Sequence, residues 1–426
     1  MNLPHHRIPL QDFTALAAGT GGASAVRELV AVEYSKHMTF LSNVVVAAEG
    51  SGQYSLARTG YDLLAAAMRE DREAATAVIR YPAVGAWARR TLEAWRGGQA
   101  SPGAEPGQLR GVAAAAAIRA GLRVEIEVPV TGGRVVLPSL GAALVPGSSA
   151  LVRSGPGGAT IEGVTIPQDP YHDAPGWLGL RRVRVGSLDV LIDDLDPFRM
   201  PDARDLTPGP EAKPWDAALG GAWLVLERGH AGVAAEIAAL VSSIVPLSRP
   251  PSGGVSSTSP EAFGAVALSV PPDRVTGAVT LAHEIQHVKL GALLDVVTLT
   301  LPDDGKRYYA PWRDDPRPLG GLLQGAYAYL GVSGFWRRQR RLPGNQLRAD
   351  VEYARWCSAT ALAVETLRSS GQLTRMGREF VSAMARTLGT WRDESVSARA
   401  VTLAHRAAES HLTRWESAHG PTSGAG

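Results

Sequence analysis

Five consecutive residues in the C-terminal half carry the strongest chemical signal of the chain. His283–His287 reads His-Glu-Ile-Gln-His, which is the H-E-x-x-H pattern. Histidines four residues apart on a helix project from one face, so both imidazoles can reach the same metal ion. Glu284 then lies where it can act on a metal-bound water or on a substrate. We therefore predict a metal site with His283 and His287 as ligands and Glu284 as a catalytic residue.

The two histidines leave the ion open, so a third ligand is required. A metzincin places a third histidine six residues after the second, and that position holds Leu293. Asp295 lies about 12 Å further along a continuous helix, which is too far for the same ion. The better candidates are carboxylates of a later predicted helix: Glu352, which we favour, then Asp350 and Glu365.

This ligand set serves two different chemistries. Zinc with Glu284 as general base would make a peptidase that activates water against a peptide carbonyl. Ferrous iron on two histidines and a carboxylate would leave positions open for a 2-oxo acid and dioxygen. The spacing of the motif does not separate the two, although H-E-x-x-H on its own favours the peptidase.

Composition limits what else the protein can be. The 426 residues include one cysteine, so disulfide frameworks and multi-thiolate metal sites are excluded within one chain. With 43 basic and 41 acidic residues, bulk charge argues against a nucleic-acid binder. No 18-residue apolar run could span a membrane, and the N-terminus lacks an apolar signal segment. We expect a cytoplasmic protein with neither nucleic acid nor membrane as partner.

The texture of the sequence predicts a mainly helical α+β protein with three successive regions. Residues 1–107 read as a helical N-terminal region, 108–212 as a β-rich middle region and 213–419 as a helical metal-site domain. Residues 420–426 read as a disordered tail. A buried strand is expected at 263–270. The motif helix is expected from about residue 278 to 298, and the middle region divides into short β-like runs: 124–128, 134–137, 150–153, 160–166, 181–185 and 188–192.

The segments that follow the motif resemble a known protein family. They are Gly291–Asp295, Tyr309–Arg313, Asp315–Leu319, Gly320–Tyr327, Gly331–Trp336 and Leu373–Val381. The series, over roughly residues 265–385, is similar to HExxH-motif proteins found near maturation genes for ribosomally made, modified peptides. That family includes 2-oxoglutarate-dependent iron peptide β-hydroxylases.

The resemblance implies a hydroxylase with a zincin-like helical C-terminal part. Its cofactors would be Fe(II) and 2-oxoglutarate, and its partners a precursor peptide and a radical maturase acting on the same peptide. His283 and His287 match the family's metal histidines, and Glu284 would then orient a ligand or contact the substrate. The distal carboxylate of a 2-oxo acid needs a cation, for which Arg313 and Arg317 are the candidates unless neighbouring aspartates pair with them.

Two other functions stay open beside peptide hydroxylation. One is a zinc peptidase that trims a peptide, and the other is a non-catalytic peptide-binding module. Four further side chains near the motif are expected mainly to pack in the core or a loop, although Gln324 and Tyr327 could both face the site: Trp312, Gln324, Tyr327 and Trp336.

Overall fold

The computed structural model describes residues 6–98, 103–200, 212–250 and 253–420. The chain is mainly helical with a β-rich middle, so the predicted α+β class is confirmed. None of the helices in these ranges is long and apolar enough to cross a membrane. Beyond Gly420, the predicted disordered tail lies outside the described residues. The chain divides into two compact units: Ala31–Ala217 with Val241–Val270, and His6–Val30 with Ala218–Leu240 and Pro271–Gly426.

The described helices are α1 Leu10–Ala17, α2 Gly22–Ala47, α3 Tyr54–Glu70, α4 Arg72–Ile79, α5 Pro82–Gly97, α6 Leu109–Arg119, α7 Ala212–Gly229, α8 Ala231–Leu240, α9 Arg274–Leu294, α10 Leu319–Gln339, α11 Gln346–Ser369, α12 Arg375–Trp391 and α13 Ala398–His419. The described strands are β1 Val124–Pro129, β2 Arg134–Leu137, β3 Gly141–Leu144, β4 Ser149–Gly155, β5 Gly158–Ile161, β6 Val164–Ile166, β7 Trp177–Gly179, β8 Arg181–Val185, β9 Leu188–Ile192, β10 Ser243–Pro246, β11 Ser256–Ser257 and β12 Ala265–Leu268. A short 3₁₀ helix covers Pro106–Gln108.

The described residues of the first unit form three sheets. One is antiparallel with the order β1-β4-β5-β6, and a second is antiparallel with the order β2-β3-β7. The third has the order β11-β12-β10-β9-β8, in which β9, β10 and β12 run parallel while β8 and β11 pair antiparallel at the edges. The four residues of β10 and those of β12 are all buried, as central parallel strands require.

The predicted β-like runs correspond to strands, with one correction. The run at 160–166 is not a single strand, because β5 ends at Ile161 and β6 begins at Val164. Between them, Glu162 and Gly163 have φ values of 48° and 85°, which is the left-handed conformation of a tight hairpin turn. The predicted strand at 263–270 is confirmed as β12.

Helix α6 forms the centre of the first unit's core. Its five consecutive alanines, Ala113–Ala117, are completely buried, as expected for a helix that is apolar on every side. Helix α3 approaches it closely at Gly60, where a Cβ atom would lie 2.8 Å from the backbone nitrogen of Arg110. Small side chains therefore allow the two helix backbones to pack together.

A buried acidic pair follows β9 in the first unit. The Tyr81 hydroxyl donates to Oδ2 of Asp193 at 2.7 Å, and the backbone N–H of Phe198 donates to Oδ1 of Asp196 at 2.8 Å. Asp193 and Asp196 are only 1% and 7% exposed. Burial, and then repulsion from Asp193, raise the pKa of Asp196 to about 7. The folded state is therefore destabilised whenever both carboxyl groups are ionised.

We expect Asp196→Asn to remove a pH-dependent loss of stability. Between about pH 4 and 7 the unfolded wild-type chain releases the proton of Asp196 while the folded chain keeps it, so stability falls as pH rises. The amide carries no charge and still offers an oxygen to Phe198. Urea unfolding gives the free energy of unfolding at pH 5 and at pH 8. The decrease in this free energy from pH 5 to pH 8 should be smaller in the variant than in the wild type by roughly 2 kcal/mol.

The control for this measurement is Asp62→Asn, which changes a half-exposed carboxylate on α3 that pairs with Arg58 at 3.0 Å. This variant should keep the wild-type pH dependence. An Asp196→Asn protein whose stability changes with pH as much as that of the control would contradict the assignment.

Within the second unit, α10 packs between α9 and α11. Helix α9 begins four residues before the predicted start, because the Asp273 side chain accepts hydrogen bonds from the backbone N–H groups of Val275 and Thr276, both at 2.9 Å. The helix ends at Leu294, which is four residues before the predicted end at 298. The N-terminal stretch also belongs to this unit, since the hydroxyl of Tyr327 on α10 donates to the Leu16 carbonyl at 2.7 Å.

Candidate metal centre

Helix α9 brings the two motif histidines together. Their Nε2 atoms lie 3.1 Å apart, and their ring centroids are 4.8 Å apart. The neighbouring apolar side chains, which are at most 3% exposed, hold the helix in the core: Leu281, Ala282 and Ile285. The predicted convergence of the two imidazoles is therefore present.

Both imidazoles are prepared to act as ligands. Burial, with a smaller contribution from His287, lowers the pKa of His283 to about 3, so this ring is neutral at physiological pH. Nδ1 of His287 lies 3.2 Å from Oε1 of Gln324, an atom that can only accept a hydrogen bond. A proton on Nδ1 satisfies this contact and leaves the Nε2 lone pair of His287 directed toward His283.

The separation of the two nitrogens fits a shared ion. Metal–nitrogen bonds of about 2.0–2.1 Å place two ligand nitrogens roughly 3.0–3.4 Å apart. Oε1 of Glu284 lies 4.0 Å from Nε2 of His283, and the Glu284 residue is 2% exposed. Across the described ranges, however, no set of three or more His, Cys, Asp or Glu side chains is close enough to hold a metal ion. The structure thus brings together two nitrogen donors, and the third ligand stays a prediction.

The three candidate carboxylates have different surroundings. Oε2 of Glu352 accepts a hydrogen bond of 2.6 Å from the indole N–H of Trp356. Asp350 and Glu365 each form an ion pair with an arginine, at 2.8 Å and 3.1 Å. Glu365 is also exposed on the outer face of α11. Glu352 therefore remains the preferred candidate, since its Oε2 accepts from the Trp356 indole while Oε1 is left for a metal ion.

An aromatic cluster covers the histidines. The Tyr329 ring meets the His283 ring edge-on, with centroids 5.1 Å apart. Trp312 stacks on Tyr329 at 4.6 Å, and Trp356 lies 4.4 Å from it on another side. Trp312 thus packs as a loop aromatic against α10, and the cluster adds two residues that the sequence did not single out, Tyr329 and Trp356.

Burial and charged side chains act on the hydroxyl of Tyr329. Its pKa is raised to about 12, mainly by burial, with Arg355 and Arg313 opposing the change and Glu284 and Glu352 adding to it. The phenol therefore stays protonated at neutral pH and can donate a hydrogen bond. Glu284 of α9 and Glu352 of α11 thus both act electrostatically on the same phenol.

The two arginines predicted to bind a carboxylate already share one. Nε of Arg313 donates to Oδ1 of Asp315 at 2.7 Å, and Nη1 of Arg317 donates to Oδ2 of the same residue at 3.0 Å. Asp315 thus forms an ion pair with each arginine, which is the alternative that the neighbouring aspartates offered in the sequence. Their role in binding a 2-oxo acid stays a prediction that would require breaking these ion pairs.

Arg355 is a cation that the sequence analysis missed. Its guanidinium lies over the Trp356 ring, 4.3 Å from the centroid, and it is half-buried. Among the described residues, no carboxylate forms an ion pair with it. One signal was available, since Arg355 follows Glu352 by three positions on a helix and so shares its face.

Two other expectations concern α10 side chains. Gln324 faces the site through His287, whereas Tyr327 is 1% exposed and donates to the backbone of α1. Trp336 is buried and packs edge-on against Phe335, as expected for a core aromatic.

Comparison with family models and with curated proteins gives no assignment for this chain. No family model matches it, and no curated protein is significantly similar to it. The placement of side chains on α9, α10 and α11 is therefore the basis for a functional proposal.

Proposed function

We propose that the protein is an Fe(II)- and 2-oxoglutarate-dependent hydroxylase of a peptide side chain. The observation that carries this proposal is the convergence of the His283 and His287 Nε2 atoms at 3.1 Å. Arg355, a guanidinium with no ionic partner in the described part of the chain, lies over Trp356, whose ring contacts the Tyr329 ring beside His283. His283 and His287 would hold the metal, and Glu352 would complete the set. The sequence resemblance to peptide β-hydroxylases supports the same choice.

Each side chain has a role in this reaction. Gln324 fixes the proton of His287 on Nδ1 and so keeps Nε2 available. Arg355 offers a planar pair of N–H donors to the distal carboxylate of 2-oxoglutarate, with Trp356 supporting the guanidinium from below. Tyr329 supplies a hydroxyl donor, and the surrounding rings exclude water.

The two oxygen atoms of dioxygen are divided between the peptide and 2-oxoglutarate. Ferrous iron, when bound, would supply the electrons that activate dioxygen. One oxygen atom enters a Cβ–H bond of the peptide to give an alcohol, and the other enters 2-oxoglutarate, which loses CO₂ and becomes succinate. The protein contributes by keeping the co-substrate carboxylate on Arg355 and by limiting access of water.

A zinc peptidase is the second candidate, and one observation favours it. Glu284 is buried beside His283, at 4.0 Å, which is the neighbourhood expected of a general base acting on a metal-bound water. The same geometry suits a residue that only orients a ligand. The two functions therefore differ in the metal and the product.

The test is anaerobic reconstitution with Fe(II) and 2-oxoglutarate. A hydroxylase should develop a visible charge-transfer absorption band, and in air it should add one oxygen atom to a short peptide encoded beside its gene. Retention of zinc alone with cleavage of that peptide would establish the peptidase instead. Neither product, with the peptide still bound, would indicate a binding module and overturn both enzymatic functions.

We expect Arg355→Met to weaken binding of 2-oxoglutarate by about 10- to 100-fold, since a charge-assisted hydrogen bond is worth roughly 1.5–3 kcal/mol. The dependence of the absorption band on 2-oxoglutarate concentration measures this affinity without turnover. Arg313→Met is the matched control and should bind nearly as well as the wild type. If Arg313→Met lost more affinity for 2-oxoglutarate than Arg355→Met, the distal carboxylate would have to bind at the 302–318 loop instead.

A further inference from the structure

A cavity of about 60 Å³ lies within the first unit, lined mainly by α5, α6, β2 and residues 196–198. A single water molecule requires about 10–15 Å³, so the space accepts several water molecules or a small ligand. None of the residues proposed to hold the metal ion or the co-substrate lines it. A ligand here would therefore bind independently of the proposed hydroxylation.

The walls of the cavity are mainly apolar, and two aromatic side chains are fixed in them. Trp87 is 5% exposed, and its indole N–H donates to the Gly103 carbonyl at 3.0 Å. The Phe198 ring packs against the same glycine, where a Cβ atom would lie 3.5 Å from the ring. Val84 and Val112 add buried aliphatic surface. The interior therefore suits an apolar ligand body, and aromatic rings also attract cations.

One buried carboxyl group presents an unpaired oxygen to this interior. Asp196 lines the cavity and is 7% exposed. Its Oδ1 accepts from the backbone N–H of Phe198 at 2.8 Å, and its Oδ2 has no hydrogen-bond partner among the described residues. Unlike the unpaired atoms that are sealed inside the protein, Oδ2 retains accessible surface. A hydrogen-bond donor within the cavity can therefore reach this oxygen.

The charges around Asp196 favour a cation at Oδ2. Burial, and then the neighbouring Asp193, raise the pKa of Asp196, so its ionised form is poorly compensated by the protein. Arg199 acts in the opposite direction, but its Nη1 donates to the backbone carbonyl of Asp196, and it forms no ion pair with a described carboxylate. The other titratable or charged groups nearby are Tyr81, which donates to Asp193, and the exposed Arg134 at the mouth of the cavity.

An organic cation fits this place better than a metal ion or an anion. A metal ion requires several ligands, and Asp196 is the sole His, Cys, Asp or Glu among the described residues of the cavity wall. An anion would be repelled by the same carboxyl group. An ammonium group needs one strong acceptor, and the carbon chain attached to it can lie against apolar walls.

We propose that this cavity binds a small primary alkylamine in its protonated form. The ammonium group donates to Oδ2 of Asp196, and the carbon chain lies against Trp87, Val112 and Phe198. An alcohol of the same shape offers an O–H donor without the charge, and a carboxylic acid brings the wrong charge. The alkylammonium ion therefore matches the free oxygen, the buried negative charge and the apolar walls.

Titration of the full chain with isobutylamine at pH 8, followed by ligand-observed NMR, tests this assignment. The amine should bind, and isobutanol and isobutyrate should each bind at least about 10-fold more weakly, because a hydrogen bond between charged groups is about twice as strong as a neutral one. If isobutanol bound as tightly as the amine, the site would recognise no charge and the proposal would be overturned. Absence of amine binding would overturn it as well.

Removal of the charge at Asp196 tests the anchor of the amine. Asp196→Asn keeps an oxygen for the N–H of Phe198, and isobutylamine should bind to it at least about 10-fold more weakly than to the wild type. Asp62→Asn, which changes an exposed carboxylate of α3, is the matched control and should keep the wild-type affinity. Equal affinities in the two variants, both folded by circular dichroism, would show that Asp196 does not hold the ligand.

A variant that fills the cavity gives an independent test. Gly111 of α6 lines the cavity, and the nearest contact of a Cβ atom there would be the Val136 carbonyl oxygen at 3.7 Å, so Gly111→Val should fold and occupy the space. Gly389→Val, at an exposed position of α12 where a Cβ atom would meet nothing within 4 Å, is the control. Isobutylamine should bind at least about 10-fold more weakly to Gly111→Val than to this control. Unchanged binding to a folded Gly111→Val protein would place the amine outside the cavity and overturn the proposal.

Discussion

Alanine in place of His287 should lower the affinity of the protein for Fe(II) or Zn²⁺ by about 100-fold or more. The substitution removes one of two imidazoles whose Nε2 atoms lie 3.1 Å apart. The single imidazole that is left cannot chelate a metal ion. His283→Ala should have the same effect. Even loss of a residue that only orients a ligand commonly costs 10- to 100-fold. Competition with a chromophoric chelator under anaerobic conditions gives the affinities directly.

Two further variants locate the effect. His405→Ala removes an exposed histidine from α13 and should leave metal affinity unchanged. Gln324→Leu should cause an intermediate loss, because it frees His287 to place its proton on Nε2, where a metal ion would bind. If the His287→Ala protein retained metal as well as the His405→Ala protein, the centre would have to lie elsewhere in the chain.

Substitution of Lys289 by methionine should destabilise the protein by about 3–5 kcal/mol, which is the usual cost of leaving a buried charge without its partner. Lys289 is completely buried, and its Nζ donates to Oε2 of Glu236 and to the Thr20 carbonyl, both at 2.6 Å. Burial lowers the pKa of this lysine, and Glu236 opposes that change. Glu236 is itself only 6% exposed, so the methionine would leave its negative charge without its partner. Urea unfolding at pH 7 measures the loss.

The cost belongs to the uncompensated charge and not to the lost side chain. Replacing both partners, as Lys289→Met with Glu236→Leu, should therefore recover a large part of the stability. Lys306→Met is the surface control, because Lys306 is 66% exposed and only loosely paired with Asp304. A single Lys289→Met variant as stable as this control, or less stable when Glu236 is also replaced, would contradict the ion-pair account.

The local features of the molecule were predictable from the sequence because local rules determine them. The period-two runs became strands since alternation alone defines a half-buried strand. The histidine pair followed from a spacing of four residues on one helix. The earlier start of α9 is also local, because its cap residue Asp273 directly follows Pro271-Pro272 in the sequence.

The surroundings of the histidines were beyond local rules. Gln324 lies 37 residues from His287 in the chain, and nothing in either segment specifies that their side chains meet. In the sequence, Lys289 looks like any lysine on a helix. Its ion pair with Glu236 depends on the packing of α8 against α9. Tyr329 and Arg355 acquire their roles only from how α10 and α11 pack. Tertiary contacts of this kind depend on the whole fold.

The hydrogen bond from Tyr327 to Leu16 joins residues separated by 311 positions, and this has a consequence for biosynthesis. At about 5–20 residues per second, a ribosome needs roughly 15–60 s to make the intervening chain. During that time the N-terminal helix lacks its packing partners, while the unit built from residues 31–270 can already form. The packing of α1 on α10, and with it the unit that carries His283 and His287, is therefore completed after the first unit.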